Sequence, residues 1–143
     1  MKSVKILALA LFALNLISCE AIQKATNTTG SAFTLTGQWE LTSSAPDTEI
    51  LGVGSIITVA PILSEGRVTT LASSAACLRQ NDVVWSSIKA NTIGGFSISN
   101  VVNACNSINY QPAQIAVISN TEITLSGKNR DGKDLTQTWK RIK

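Results

Sequence analysis

Residues 33–42 read FTLTGQWELT, and this short stretch carries the clearest structural signal in the chain. Every odd-numbered position from 33 to 41 holds an apolar residue or glycine, and every even-numbered position from 34 to 42 holds a polar residue. Successive side chains of a β-strand point to opposite faces, so the alternation predicts a strand with one buried and one solvated face. We therefore expect the sheet to begin at Phe33, with Trp39 on its buried face.

Seven further segments have the same character and are separated by glycine, proline, asparagine or aspartate turn signals. They span residues 55–60, 67–71, 83–88, 96–99, 114–118, 122–126 and 135–142. Residues 43–54 contain one proline and two glycines and predict a long loop. About eight short strands with no helical period predict an all-β fold, a small antiparallel up-and-down β-barrel or, as the alternative, a β-sandwich.

The two ends of this predicted sheet resemble those of the lipocalins and of the short lipocalin-like lipoproteins of bacteria. The first strand contains the G-x-W element of that family at Gly37 and Trp39, and the last strand contains TWKR at residues 138–141. The resemblance implies a lipocalin-like barrel over residues 33–143 in which Trp39 packs across the closed end and Arg141 covers its ring. Gly37, Trp39 and Arg141 are thus the predicted closure residues. An arginine stacked on an indole contributes about 0.5–2 kcal/mol to stability. We therefore expect this contact to close the fold and to have no catalytic role.

The N-terminus predicts export. Lys2 and Lys5 precede an apolar run at 6–17, which as a helix is about 18 Å long and too short for a ~30 Å hydrocarbon core. The run ends in LISC at residues 16–19, which resembles the lipobox of bacterial lipoproteins. That resemblance implies cleavage before Cys19 and acylation of this residue with diacylglycerol and a fatty acid such as palmitate. The alternative is an ordinary signal peptide followed by a chance cysteine.

This interpretation divides the chain into a signal peptide at 1–18, a lipidated N-terminus and flexible tether at 19–32, and the barrel domain at 33–143. The tether is small, polar and aperiodic, and a coil of that length spans roughly 20 Å. We expect a lipid-anchored protein of the bacterial cell envelope, at the outer membrane or the periplasmic face more than at the cytoplasmic membrane.

Composition excludes some partners. The formal net charge of the whole chain is +3, and it falls to +1 without residues 1–18, because Lys2 and Lys5 leave and no acid does. A nucleic-acid-binding domain would carry a basic patch, and the only basic cluster is at residues 140–143, where a solvated strand end is the simpler explanation. We therefore expect no nucleic-acid partner.

Two cysteines remain once Cys19 is assigned to the anchor. An exported domain lies in an oxidising compartment, so Cys77 and Cys105 predict one disulfide, and two buried free thiols are the alternative. The bond would close a loop of about 29 residues and stabilise the fold by ~3.6 kcal/mol in the chain-entropy description. The chain has no histidine and no C-x-x-C pair, so we predict no metal site and no cofactor.

The sequence carries no catalytic motif. Without histidine there is no histidine-based triad, and neither a G-x-S-x-G elbow nor a phosphate-binding glycine loop occurs. The acidic residues lie mainly in predicted turns, at positions 47, 49, 65, 82, 122, 131 and 134. We therefore predict that the protein is not an enzyme.

Two function classes remain, and they differ in what the barrel interior should contain. A binding module for a small apolar ligand or a glycan needs an open lumen, with Trp85, Phe96 or Tyr110 as candidate lining residues, although aromatic residues at this two-residue period belong to the core more often than to a ligand site. A cavity above about 300 Å³ lined by apolar groups would favour that class. A protein-interaction module, such as an inhibitor of a secreted hydrolase or toxin or an envelope accessory subunit, would instead show a filled barrel with an exposed, disulfide-braced loop. The polar segment 103–111 around Cys105 is the candidate loop, with a plain solvated loop as its alternative.

Overall fold

The computed structural model describes residues 32–48 and 50–143. The predicted signal peptide, Cys19 and most of the predicted tether lie outside the described residues, as does Glu49. Thr34–Lys143 form one compact unit, which contains every strand of the described residues.

This unit is a closed barrel of eight antiparallel strands, each paired with the next along the chain, with the last paired to the first. The strands are β1 (Gly37–Ala45), β2 (Ile56–Val59), β3 (Gly66–Thr70), β4 (Val83–Ala90), β5 (Phe96–Asn103), β6 (Asn109–Ser119), β7 (Glu122–Lys128) and β8 (Asp134–Arg141). The predicted all-β, up-and-down barrel is confirmed, and the sandwich alternative is wrong. Pairing of β1 with β8 leaves no strand edge open to other chains.

The first strand begins later and ends later than the alternation predicts. Residues 33–36 precede β1, which starts at Gly37 and continues to Ala45, three residues beyond the end of the alternation at 42. The carbonyls of Thr34 and Thr36 accept hydrogen bonds from the Arg141 side chain, so a side chain and not a strand partner takes the polar groups of this segment. Ser43, Ser44 and Ala45 pair with β8 after a bulge, although their composition predicts a loop.

The middle of the barrel also extends further than the sequence predicts. β5 runs to Asn103 and β6 starts at Asn109, so only residues 104–108 of the polar segment connect the strands. Asn100 is 3% exposed within β5, where it faces Trp85 of β4 in the strand register. Backbone pairing between neighbouring long strands therefore overrides the polar composition of this region.

The interior of the barrel is filled by its own side chains. Trp39, Trp85 and Trp139 are all completely buried, and the rings of Trp85 and Trp139 meet edge to face with centroids 4.9 Å apart. Aliphatic residues complete the core, among them Leu41, Ile57, Val68, Val84, Ile115, Ile123, Leu125 and Leu135. Among residues 32–48 and 50–143 there is no helix long and apolar enough to cross a membrane.

Candidate functional site

The two ends of the barrel are built differently, and we name them by their construction. Because antiparallel strands alternate in direction, three connections and the start of β1 lie at one end, the closed end: residues 60–65, 91–95 and 120–121. The other four connections lie at the open end: residues 46–55, 71–82, 104–108 and 129–133.

The closed end is built around Trp39 and Arg141, which are direct partners in the β1–β8 register. The guanidinium carbon of Arg141 lies 4.3 Å from the centroid of the Trp39 ring, so the two groups form the cation–π contact that the resemblance implies. The indole Nε1 of Trp39 donates a hydrogen bond to the Leu35 carbonyl at 2.8 Å. The buried tryptophan at this end therefore has both its ring and its N–H satisfied.

Arg141 also ties its own strand, β8, to two other segments of backbone. Its side chain donates hydrogen bonds to the carbonyls of Thr34 and Thr36 before β1, and to the carbonyl of Asn120 in the β6–β7 turn at 3.0 Å. Partial burial lowers the pKa of Arg141 through desolvation. A planar guanidinium carries five N–H donors that point in different directions, so it can bind all three carbonyls at once. The compact ammonium group of a lysine cannot reach all three.

Gly37 is required where the chain enters the closed end. Its φ is +132°, a conformation that side-chain-bearing residues rarely adopt. A β-carbon there would collide with the Lys143 carbonyl and would lie 3.0 Å from a terminal nitrogen of Arg141. The three predicted closure residues therefore lie together, and their role is to hold the end of the barrel shut.

The open end is held by a disulfide and by buried backbone contacts. Cys77 and Cys105 are bonded, with Cα atoms 4.7 Å apart, so the predicted disulfide is confirmed and joins the connection 71–82 to the connection 104–108. Ser55, which is completely buried, accepts a hydrogen bond from the backbone N–H of Ala72 at 2.9 Å. These two links fix three of the four open-end connections relative to one another.

A recess of about 220 Å³ lies among the open-end connections. All four connections or their adjoining strand ends contribute to its wall: Asp47, Ala76, Asn103, Cys105, Asn129 and Asp131. Because the side chain of Asn129 accepts from the N–H groups of Asp131 and Lys133, at 3.0 and 2.9 Å, its connection is locally rigid. The recess is thus a surface feature on a braced base.

The recess carries mixed charge. Asp47 and Asp131 contribute carboxylates, and Arg130 contributes a guanidinium whose Nε lies 3.4 Å from a carboxylate oxygen of Asp131. Beside it, the hydrogen bond from Lys128 lowers the pKa of Asp134. Charged and amide side chains recognise polar groups, so the chemistry of the recess does not suit a wholly apolar ligand.

The core of the barrel contains polar atoms with no hydrogen-bond partner among the described residues. Gln137 is 2% exposed, and its Oε1 is unpaired at the wall of a second cavity of about 20 Å³. Asn100 Oδ1 and the indole nitrogens of Trp85 and Trp139 are likewise buried and unpaired. The core therefore holds two orphaned acceptors and two orphaned donors, of which Gln137 Oε1 lies beneath the recess, whereas the indole of Trp39 is satisfied.

The aromatic residues proposed as pocket lining are buried, half-buried or hydrogen-bonded to the backbone. Trp85 lies in the core, and Phe96 is half-buried at the start of β5. The hydroxyl of Tyr110 donates to the Val83 carbonyl at 2.9 Å, and desolvation, together with nearby carboxylates, raises its pKa. None of the three lines the recess.

The residues that line the recess were only partly visible to sequence reasoning. Asn103 belongs to the predicted polar segment, but Asn106 and Asn109 of that segment are exposed outside the recess. Asp47 and Asp131 appeared only as acids in separate turns, 84 positions apart. For Gln137 the sequence shows only that this polar residue shares a strand face with Leu135 and Trp139.

The rest of the described surface offers further grooves. Grooves of up to about 460 Å³ lie on the outside of the barrel and at its rim, and none is lined by the core tryptophans. No group of three potential metal-binding side chains occurs within residues 32–48 and 50–143. Comparison of the chain with protein-family models, with curated proteins and with solved structures finds no match.

Proposed function

We propose that this protein is a lipid-anchored interaction module of the bacterial cell envelope and that it binds a protein partner through the open end of its barrel. In this proposal acyl chains on Cys19 hold it at the outer membrane or the periplasmic face. The barrel serves as a rigid support, with no catalytic group and no cofactor.

The observation that carries the proposal is the filled interior. Three completely buried tryptophans and their aliphatic neighbours occupy the space that a lumenal ligand would need. The recess above them measures about 220 Å³, a groove of about 460 Å³ adjoins it at Asp47 and Thr48, and no core tryptophan lines either space. A recess of this kind suits a single anchoring side chain of a partner, surrounded by contacts to the rim.

The rigidity of the open end supports the same role. Side chains held on braced connections lose less conformational entropy on binding than side chains on free loops. The disulfide and the Ser55–Ala72 hydrogen bond supply that bracing. Val53 and Ile108 are 48% and 53% exposed near the recess, so apolar contact area is available beside its polar wall.

Photo-crosslinking in living cells tests this interaction. A photoreactive residue is placed at Asn106 or Lys133, which are exposed beside the recess, and at Gln114 or Ser126, which are exposed on the barrel wall as matched controls. We expect discrete protein adducts from the first pair and none from the second. Asp131→Arg should abolish the adducts by reversing the charge of the rim. Equal adducts from both pairs, or adducts insensitive to Asp131→Arg, would contradict the proposal.

The unpaired Oε1 of Gln137 supports a second candidate, a small hydroxyl-rich ligand such as a glycan fragment in the recess. A hydroxyl reaching the deeper cavity would donate to this buried acceptor. Titration of the protein with envelope saccharides, followed by thermal unfolding, tests it. A saturable stabilisation that disappears in Gln137→Met favours the ligand, and the absence of any stabilisation excludes it.

The anchor is tested separately. Wild-type chain and Cys19→Ala are expressed in a bacterium, fractionated and weighed as intact proteins. We expect the wild type in the membrane fraction with the mass of its acyl chains, and the variant in the soluble envelope fraction, because one or more buried acyl chains hold a protein at a membrane. A variant that stays in the membrane, with a wild type that lacks acyl mass, would show that Cys19 is not the anchor.

A further inference from the structure

The exposed aliphatic side chains of the barrel are concentrated at the closed end. Seven large apolar residues are prominently exposed among the described residues, and five of them lie at or near that end: Ile62, Leu63, Ile93, Ile118 and Ile142. Only Val53 and Ile108 lie at the open end. We call these five residues the closed-end apolar face.

Two of these side chains stand fully in solvent at the tips of their connections. Ile62 is 92% exposed in the β2–β3 connection, and Ile93 is 91% exposed in the β4–β5 connection. Connections that face water are usually built of small polar residues, and an isoleucine at a tip contributes nothing to the fold that a serine would not. Two such residues on separate connections at one end indicate an apolar environment outside the barrel.

We infer that the closed-end apolar face rests on the membrane that carries the lipid anchor, with Ile62 and Ile93 entering the boundary between headgroups and acyl chains. The inference rests on the proposed anchor for its choice of occupant. It differs from the proposed function because it assigns a surface, a lipid partner and an orientation that the interaction at the open end does not require.

The path of the chain supports a lipid occupant. The barrel unit begins at Thr34, whose carbonyl is bound by Arg141 beneath the closed end. Residues 19–33 reach at most about 50 Å even when fully extended, so an acylated Cys19 keeps this end of the barrel within that distance of the bilayer. The connections that carry Ile62 and Ile93 lie at this same end.

Charge near this end fits a bilayer surface as well. Lys89, Lys140 and Lys143 are exposed close to the closed end of β4 and β8. Long lysine side chains keep their ammonium groups at the headgroups while their methylene stems follow apolar groups inward. Glu40 and Glu122 flank Lys140 in the register, so the positive balance is small and the apolar side chains supply most of the attraction.

The orientation has a consequence for the open end. A barrel resting on its closed end directs the recess away from the bilayer, toward soluble or wall-bound partners. The same arrangement separates the two surfaces by the full length of the barrel, so lipid contact and partner binding do not compete.

Lipid photo-crosslinking tests the inference with matched positions. A photoreactive residue replaces Ile62 or Ile93 in the full chain, and Val53 or Ile108 as the open-end controls. All four side chains are exposed, so the core is unchanged. The purified proteins are reconstituted in vesicles of phosphatidylethanolamine and phosphatidylglycerol, irradiated and analysed by mass. We expect lipid adducts at Ile62 and Ile93 to be at least about tenfold more frequent than at Val53 and Ile108, as expected for a side chain transferred from water to an apolar phase.

Intact mass separates the failure of the face from the failure of the anchor. A lipidated chain with equal adduct yields at all four positions, or with protein adducts instead of lipid at Ile62 and Ile93, overturns the face and leaves the anchor standing. A chain without acyl mass that is mixed with the same vesicles and still gives adducts selectively at Ile62 and Ile93 overturns the anchor and supports the face. The absence of both acyl mass and adducts overturns both.

Discussion

The closed and open ends of this barrel are held together by different interactions. At the closed end one side chain, Arg141, stacks on Trp39 and binds three backbone carbonyls. At the open end a covalent bond joins two connections, and the buried Oε1 of Gln137 beneath them remains unpaired. The comparison shows where the fold is optimised for stability and where it tolerates a cost that is typical of binding sites.

The three tryptophans differ in whether the indole N–H has a hydrogen-bond partner. All are completely buried, yet only the Trp39 indole has its N–H bonded by a backbone carbonyl in the hydrogen-bond network described, whereas those of Trp85 and Trp139 are orphaned. An unsatisfied buried donor or acceptor costs about 1–3 kcal/mol. The unpaired N–H groups of Trp85 and Trp139 therefore lower the stability of the core, and the satisfied indole of Trp39 does not.

Removal of the disulfide should have the largest effect. The double variant Cys77→Ser with Cys105→Ser should lose about 3–4 kcal/mol of unfolding free energy, because the unfolded chain regains the freedom of a loop of about 29 residues. Denaturant unfolding measures the loss. Hydrogen exchange should rise in the connections 71–82 and 104–108 and stay unchanged around Trp39. Equal loosening of both ends would show that the two ends are not independent.

Loss of Arg141 should come next. Arg141→Ala should destabilise the barrel by about 1–3 kcal/mol, because it removes the stack on Trp39 and leaves three carbonyls without their donor. Arg141→Lys is the matched control, since it keeps the charge but lacks the fork, and it should recover less than half of the loss.

A double-mutant cycle with Trp39→Phe isolates the stacking part of that effect. We expect a coupling free energy of about 0.5–2 kcal/mol between the two positions, because phenylalanine offers a weaker face to the guanidinium. Unfolding curves of the wild type, both single variants and the double variant provide the value. Additive losses would mean that Arg141 acts only through the carbonyls.

Substitution of the two orphaned acceptors in the core, Gln137 and Asn100, should have the smallest effect on the unfolding free energy. Gln137→Met retains size and shape but removes the unpaired oxygen, so the unfolding free energy should change by less than about 1 kcal/mol or increase. Asn100→Leu tests a second orphaned acceptor in the same way. A loss of more than about 2 kcal/mol in either variant would show that the side chain has a partner in solution, and the contrast between the two ends would then narrow.

Local pattern was sufficient for much of the fold. The period-2 alternation at 33–42 and the regular turn signals predicted about eight antiparallel strands in a barrel or a sandwich, and the resemblance of the two ends of the sheet to lipocalins implied the stack of Arg141 on Trp39. The even cysteine pair predicted the disulfide. These features are local or depend only on order along the chain, and a sheet that must bury one face and hide its edges leaves few ways to arrange them.

The tertiary structure decided the rest. Strand limits shifted because partners matter more than composition. Ser43–Ala45 extend β1 since β8 pairs with them. Residues 34–36 lie outside the sheet, where Arg141 binds the carbonyls of Thr34 and Thr36 and the Trp39 indole binds that of Leu35. The recess brings together Asp47, Asn103 and Asp131, which are far apart in sequence and share no periodicity. The closed-end apolar face likewise gathers isoleucines from separate connections. Only the closure and tilt of a barrel determine which turns become neighbours, and that is a property of the whole sheet.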